Sequence, residues 1–254
     1  MKTLKKTFHI ILPLLSLVLL VLLWLLAAQT VPDFPSPADV VERFGLLNER
    51  PISDTGILGH VWASLQRVLK ALGLSILIGI PFGLLIGWNK TFRGLFKPLF
   101  EVFRPIPPIA WIPLISLWLG VGETSKVLII FIGTVMPIVV NTYSGVAMVP
   151  SQFLDASRSF GATHKQVLVD IVMPASLQSI FAGIKTALSA GWMVVLAAEM
   201  ISAKQGLGFL ITRGSDTNDL ALCVISMIFI GIIGAIISYG FDFVERRLCP
   251  WIER

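Results

Sequence analysis

The hydrophobic positions of this chain form long runs that alternate with short polar segments. Five of these runs contain no Asp, Glu, Lys or Arg and reach the ~18 residues that suggest a membrane-crossing helix. They cover residues 7–32, 71–89, 105–122, 127–154 and 220–241. A sixth run, residues 171–203, carries only Lys185 and Glu199. The pattern predicts an all-α, polytopic membrane protein with six transmembrane helices.

The first run has features of a signal peptide, because Lys2, Lys5 and Lys6 precede it and small residues follow its apolar part. That apolar part, residues 10–28, is longer than the ~7–15 residues of a signal-peptide core. We therefore expect a retained first helix.

The placement of lysine and arginine predicts the orientation, since short loops rich in these residues stay on the cytoplasmic side. With both termini inside, the inner segments hold eleven of these residues and the outer segments and helix ends hold seven. The sequence thus favours an amino terminus and a carboxyl terminus that both lie in the cytoplasm.

The composition agrees with a membrane protein and excludes several other classes. The chain is 55% hydrophobic and 14% charged, whereas soluble domains are about 25% charged. Its net charge of +5 is explained by basic loops beside anionic membrane lipid, so we assign no nucleic-acid partner. Cys223 and Cys249 lie about half a bilayer apart on this topology, so no disulfide is expected.

The chemistry of a metal site or of an enzyme is not visible in the sequence. The three histidines are scattered, which predicts no metal site. No phosphate-binding run of the type Gly, four residues, Gly-Lys-Ser/Thr occurs, so any ATPase activity must belong to a partner.

The segment after the first run separates the first helix from the rest of the chain. Pro32, Pro35 and Pro37 prevent the first helix from continuing, and Val40, Val41, Phe44 and Leu47 then recur at helical spacing. This predicts a short amphipathic helix at the outer surface. We assign residues 1–58 to the first helix and this segment, and residues 59–254 to a five-helix core.

The third run contains Pro105, Pro107, Pro108 and Pro113, which cannot all fit a regular helix. Irregular backbone at membrane depth must be satisfied by protein or water. Pro107, Pro108 and Trp111 are therefore candidates for lining a pathway, and a re-entrant loop at the inner interface is the alternative. In the second run, Gly79, Gly83 and Gly87 predict close helix packing.

The polar segment between the fourth run and residues 171–203 predicts a helix, a turn and a second helix. Phe153, Ala156 and Phe160 follow helical spacing over residues 151–159, with Ser151 as the expected cap. Gly161 is placed where a helix ends in the left-handed conformation. Thr163 and Gln166 then form a capping box. A hairpin lying on the membrane surface is the structural alternative.

This segment resembles the coupling motif of ATP-binding-cassette (ABC) importer permeases: Glu-Ala-Ala, three residues, Gly, nine residues, Ile, one residue, Leu-Pro. Four residues match it in register: Ala156, Gly161, Ile171 and Pro174. Asp155, Ser157 and Met173 are conservative departures from it. Residues 61–251 also resemble permeases of the nitrate, sulfonate, taurine and bicarbonate group.

The resemblance implies a type I importer arrangement in the bacterial inner membrane. It implies a second copy of the chain, two cytoplasmic ABC ATPase subunits that bind ATP and Mg, and an extracytoplasmic solute-binding protein. The residues expected to couple the chain to the ATPase are Asp155, Ala156, Ser157, Arg158, Gly161, Ala162, Ile171 and Pro174.

The sixth run contains two charged residues, which are further candidates for a functional role. Glu199 is an intramembrane acid and therefore a candidate for function, with a salt bridge or helix packing as the alternative. Lys185 suits attraction of an anion in the pathway, or pairing with a carboxylate. Glu123 is interpreted as structural, or as a contact for the binding protein.

The leading functional hypothesis is the permease subunit of an ABC importer for a small anion. Taurine or another aliphatic sulfonate is the first choice of substrate, followed by nitrate or bicarbonate. A secondary transporter driven by an ion gradient is the alternative, but it requires membrane carboxylates or an inverted repeat. An integral membrane enzyme comes last, since clustered catalytic residues are not seen.

Overall fold

The computed structural model describes residues 2–248, and the part of the chain that it describes is built from helices. Cys249 and Arg254, which entered the disulfide and charge arguments, lie outside the described residues. The α-helices are α1 Lys2–Thr30, α2 Pro37–Glu49, α3 Ile57–Trp88, α4 Lys90–Phe103, α5 Ile112–Leu119, α6 Glu123–Ala147, α7 Ser151–Ser159, α8 His164–Gln166, α9 Met173–Ser202, α10 Leu207–Asp216 and α11 Leu220–Leu248. A 3₁₀ turn, Pro108–Trp111, precedes α5, and a π-helical turn, Val167–Val172, joins α8 to α9.

Among the described residues, four helical stretches are long and apolar enough to cross a membrane. They are Ile57–Trp88, Glu123–Ala147, His164–Ile201 and Leu220–Arg247. A fifth crossing results if α4 and the stretch Pro108–Leu119 are counted as one bent span. The sixth predicted crossing is α1, and both its status as a span and the inward orientation of the termini stay predictions.

The predicted start of the second helix was wrong. The second run was placed at residues 71–89, but the helix begins at Ile57, because its first turns carry buried polar residues that interrupt the apolar pattern. The proposed division after residue 58 therefore falls inside the first turn of α3.

The third run, residues 105–122, does not form one crossing helix. Its prolines confine the backbone to a turn, the 3₁₀ segment and the eight residues of α5. The axis bends by 88° between α4 and the stretch Pro108–Leu119. The predicted irregularity of this run is thus confirmed, and its predicted length is wrong.

Helices α3 and α6 run parallel and pack closely through the glycine stripe. A Cβ atom at Gly83 would lie 2.6 Å from Cβ of Thr142, and one at Gly87 would lie 2.6 Å from Cβ of Val146. These short distances confirm the predicted close packing, since any larger residue at the glycine positions would force the helices apart.

Helix α9 packs against the other side of α6 and runs antiparallel to it. A Cβ atom at Gly183 would lie 2.7 Å from Cβ of Asn141, and one at Gly191 would lie 2.6 Å from Cγ2 of Thr134. We call the end of the bundle that carries Trp88, Ala147 and α7–α8 the hairpin end. We call the opposite end, where α3 and α6 begin and α9 finishes, the clamp end.

Helix α2 packs on α11 and carries the predicted amphipathic pattern. Its cap is a box in which the Ser36 N–H donates to the Asp39 carboxylate at 2.8 Å and the Asp39 N–H donates to the Ser36 hydroxyl. The bonds from the backbone and then the hydroxyl of Ser36 hold the pKa of Asp39 below its usual 3.8. Phe44 stacks on Phe229 of α11 with ring centroids 5.9 Å apart. This helix is therefore part of the bundle rather than a separate domain.

Candidate functional site

The predicted coupling segment folds as a rigid hairpin. Helix α7 spans Ser151–Ser159, which are the predicted bounds. The expected cap at Ser151 was wrong, because the N-cap residue is Pro150 and no side chain caps this helix. A proline at this position already fixes its own φ, so the helix start is set by backbone restriction.

The turn after α7 is closed by the residues that the sequence indicated. Gly161 adopts φ 81°, and its N–H donates to the carbonyl of Arg158 at 2.9 Å. The N–H of Ala162 reaches back to the carbonyl of Ser157 at 3.0 Å. Thr163 then caps α8 in the predicted box with Gln166. These bonds satisfy the helix ends and hold the two short helices in one geometry.

The apolar face of α7 points away from the bundle. Phe153 is 57% exposed and Phe160 is 92% exposed, and Ala156 lies between them on the surface. Ser157 faces the other way and donates to the carbonyl of Leu154 at 2.8 Å. Exposed phenylalanines on a polar hairpin are typical of a surface that contacts a partner protein or the membrane.

The remaining residues of the coupling motif occupy two environments. Asp155 and Arg158 are exposed and lie 3.6 Å apart in an i,i+3 ion pair. Ala162 is half-buried against the small cluster of Val146, Val167 and Val172. Ile171 is half-buried in the π-helical turn, and Pro174 is exposed in the first turn of α9. The hairpin is therefore continuous with the long helix α9.

At the clamp end, four charged residues from three helices form a network that we call the clamp: Arg67, Glu123, Lys126 and Glu199. Arg67 donates to Glu199 at 2.6 Å and to both carboxylate oxygens of Glu123 at 2.7 Å. The Lys126 ammonium donates to Glu123 at 3.0 Å. The two positive and two negative charges balance, so the network is neutral.

The solvent exposure of the clamp side chains falls from the surface to the interior. The side chain of Glu123 is 63% exposed, that of Arg67 is 6% exposed and that of Glu199 is 0% exposed. An enclosed carboxylate is costly unless it is paired and hydrogen-bonded. Glu199 meets both conditions, because Ser64 and the N–H of Gly208 also donate to it at 2.9 Å. The structure thus bears out the salt-bridge alternative for this residue.

The clamp also fixes the loop between α9 and α10. Gly206 has φ 129°, and its N–H donates to Nδ1 of His60 at 3.1 Å. Since Nδ1 accepts a hydrogen bond, the ring proton is on Nε2, which donates to the carbonyl of Ile52. A Cβ atom at Gly206 would overlap the Glu199 carboxylate. The backbone therefore approaches this carboxylate as closely as only glycine allows.

Sequence reasoning missed most of this network. Glu199 was identified, but Ser64, His60 and Gly206 were not, and Arg67 was counted only as an outer charge. A usable signal was present: Arg67 lies in an apolar stretch, and an intramembrane charge of one sign implies a partner of the other sign.

Lys185 forms an ion pair with Asp242 of α11, so the pairing alternative matches the structure. Lys185 also borders a cavity of about 170 Å³ between α9 and α11. Ser189 and Met193 line the same cavity from the exposed face of α9.

The proline-rich candidates lie at the break between α4 and α5. The carbonyl of Pro107 accepts from the N–H of Ala110 at 2.9 Å, which closes the 3₁₀ turn. Pro108 packs against Gly133 of α6. The indole nitrogen of Trp111 is buried and has no hydrogen-bond partner. The break is therefore held by packing, with one polar group unsatisfied.

At the clamp end, Arg43, Lys204, Arg213 and Asp219 border a cavity of about 910 Å³. Arg43 and Asp219 pair at 2.6 Å, which leaves two cations to set its charge. Within residues 2–248, no group of three His, Cys, Asp or Glu side chains is arranged to hold a metal ion.

The known proteins that this chain is similar to are components of transport systems. Residues 79–254 match the family described as "Binding-protein-dependent transport system inner membrane component". The taurine transport system permease protein of Escherichia coli is 35% identical over 92% of this chain and 86% of its own length. The nitrate import permease protein of Synechocystis is 31% identical over 95% of this chain and 90% of its own. The bicarbonate permease of Synechococcus elongatus is 29% identical over 98% of this chain and 90% of its own.

Solved structures share the fold at low identity. A chain of the MetNI methionine ABC transporter in an inward-facing conformation superposes with a TM-score of 0.67 at 19% identity. The match covers 75% of this chain and 95% of that one. A chain of an amino acid ABC transporter gives a TM-score of 0.63 at 17% identity and covers 80% and 97%.

Proposed function

Since the chain belongs to the family of binding-protein-dependent transport system inner membrane components, which are permease subunits of ABC importers, we propose that two copies of it form the pathway for a small anion. Taurine or another aliphatic sulfonate is the first choice of substrate, followed by nitrate and bicarbonate. The protein is a multi-pass component of the inner membrane.

The observation that carries the coupling role is the exposure of Phe153 and Phe160 on a capped hairpin. A groove on a cytoplasmic ABC ATPase, which binds ATP and Mg, would cover these rings. Because the hairpin continues into α9, movement of the ATPase would be transmitted to a membrane helix without passing through a flexible loop. Asp155 and Arg158 would add polar contacts at the rim.

Two features support an anionic substrate. The relatives named for taurine, nitrate and bicarbonate transport share a negatively charged group in their substrates. The cavity at the clamp end has Lys204 and Arg213 on its border, and neither makes an ion pair with another residue in the range 2–248. A solute-binding protein that docks at this end would deliver the anion to a positively charged surface.

No observation favours a secondary transporter. That mechanism would use an intramembrane carboxylate that takes up and releases an ion, whereas Glu199 is enclosed and held by Arg67. Lys185 is likewise paired with Asp242.

The first experiment is purification of the tagged chain from native membranes in mild detergent, followed by mass spectrometry of the bound proteins. Recovery of an ABC ATPase and a second copy of the chain is expected. The complex is then reconstituted in vesicles with ATP inside, and uptake of labelled taurine, nitrate and bicarbonate is compared. Uptake that needs an ion gradient and no ATP would contradict the proposal.

The coupling surface is tested with Phe160→Ala and a matched control, Gln152→Ala, which removes an exposed polar side chain from the start of α7. We expect the first variant to lose ATPase binding and the second to keep it, with equal amounts of both in the membrane. Equal ATPase recovery with both variants would argue against this surface.

A further inference from the structure

A basic cavity lies between the α3–α4 corner and the hairpin, at the hairpin end of the bundle. Its volume is about 590 Å³, within the ~300–1,000 Å³ typical of ligand sites. Four basic side chains border it: Lys90, Arg93, Arg158 and His164. Within the described part of the chain, no aspartate or glutamate lines it.

The positive charge of this cavity is only partly compensated. Arg158 has Asp155 at 3.6 Å, on the exposed side of α7. Arg93 donates to the carbonyls of Ile86 and Gly87, which are neutral. Lys90 makes no ion pair with any residue in the described range 2–248. Three full cations against one carboxylate leave a charge of +2, which favours an anionic occupant.

A second cavity, of about 370 Å³, adjoins the first and shares Gly87, Arg93 and Ala147 with it. It reaches Tyr143 and Ser144, which are one turn earlier in α6 and therefore further from the hairpin end. Lys97 borders it, with its ammonium 5.3 Å from the centroid of the Tyr143 ring. Its remaining lining is mostly apolar and includes the exposed side chain of Met148.

Tryptophan and the charged face of α4 indicate the depth of the two cavities. Trp88 ends the apolar span and contacts the His164 ring with centroids 4.8 Å apart, and tryptophan prefers the membrane–water interface. Lys90, Arg93 and Lys97 follow one face of α4, while Leu95 and Leu99 are exposed on another. Such a helix is typical of the lipid headgroup region.

We propose that an anionic phospholipid binds here, with its phosphate in the basic cavity and the start of an acyl chain in the adjoining one. The pairing of a charged cavity at headgroup level with a more apolar cavity one turn deeper fits a lipid better than a free anion. An acidic segment of a partner protein would satisfy the charge but not the deeper cavity. The lipid would bridge α4 and the hairpin, and this inference does not depend on which substrate is transported.

The test is native mass spectrometry of the purified, delipidated full chain titrated with phosphatidylglycerol or phosphatidylcholine, with inorganic phosphate as competitor. The test variants are Lys90→Gln, Arg158→Gln and the double variant. Lys165→Gln is the matched control, because this exposed cation is at the same end but does not line the cavity. Thermal midpoints of all variants show that each remains folded.

We expect one phosphatidylglycerol adduct that phosphatidylcholine does not replace. Each single variant should weaken it about fivefold and the double variant about thirtyfold, since each basic residue near an anionic headgroup contributes on that scale. Lys165→Gln should bind like the wild type. Equal binding by the double variant would overturn the proposal, as would displacement by inorganic phosphate. Loss of the adduct whenever the ATPase is bound would assign the cavity to the partner protein instead.

Discussion

Removal of Arg67 would leave the carboxylate of Glu199 enclosed without its cation. The Glu199 side chain is 0% exposed and would keep only its hydrogen bonds from Ser64 and Gly208. Breaking a buried ion pair in this way costs about 3–5 kcal/mol, most of which comes from the stranded charge. We therefore expect Arg67→Met to lower the free energy of unfolding by this amount.

A double-mutant cycle separates the charge from the packing. Glu199→Gln keeps the shape and an acceptor, and Arg67 keeps Glu123, so this variant should cost about 1–3 kcal/mol. In Arg67→Met/Glu199→Gln no charge is stranded, and about 2 kcal/mol or more should be regained relative to the sum of the single variants. Glu42→Gln, which changes an exposed carboxylate of α2 outside the clamp, is the control and should cost less than about 0.5 kcal/mol.

The measurement is unfolding by dodecyl sulfate in mixed micelles, followed by tryptophan fluorescence. Residues that interact show coupling energies above the ~0.5 kcal/mol scatter of independent sites. If the effects of the two substitutions simply add, the enclosed pair does not stabilise the bundle and the reasoning is refuted.

Three further changes test local features of the fold. Gly161→Val should destabilise the hairpin by about 1–2 kcal/mol, because Gly161 has a φ of 81° that valine adopts only with strain. Gly161→Asn should cost less, since asparagine tolerates this conformation. Hydrogen exchange over residues 155–166 distinguishes the two variants. Gly83→Leu should cost at least about 1–3 kcal/mol in the same unfolding assay, whereas Gly73→Leu, where the space is open, should not. The cap of α2 should persist at neutral pH and weaken as the pH falls through the lowered pKa of Asp39, below 3.8. The measurement follows the nuclear magnetic resonance shifts of the α2 amides with pH. A change that already occurs near pH 6 would contradict this prediction, and so would an Asp39→Asn variant whose shifts change with pH in the same way as those of the wild type.

The hairpin was predictable because its signals are local. The left-handed glycine, the capping box and the helical spacing of α7 all lie within sixteen residues, 151–166, and each restricts the backbone next to it. The exposure of Phe160 was not predictable, since an apolar stripe normally faces the bundle, and its direction depends on how the hairpin packs.

The clamp and α4 were missed for different reasons. Arg67, Glu123 and Glu199 are brought together by the packing of three helices, and sequence distance gives no measure of that. In α4, Lys90, Arg93 and Lys97 were counted only among the basic residues of the inner segments, although they occupy one face of a helix. A search for charge-free runs detects helices that are surrounded by lipid, but it does not detect amphipathic helices, which carry charges on one face.

Helix α9 links the hairpin to the clamp. Its thirty residues give a rod of about 45 Å, with the hairpin at its start and Glu199 near its finish. If the rod pivots about its middle by about 10°, each end travels about 4 Å, which exceeds the 2.6 Å separation of Arg67 and Glu199. Spin labels at the two ends would register such a tilt as opposite displacements. If α9 tilts in this way and α3 does not follow, the ion pair between Arg67 and Glu199 has to break, so the clamp would resist the start of the movement.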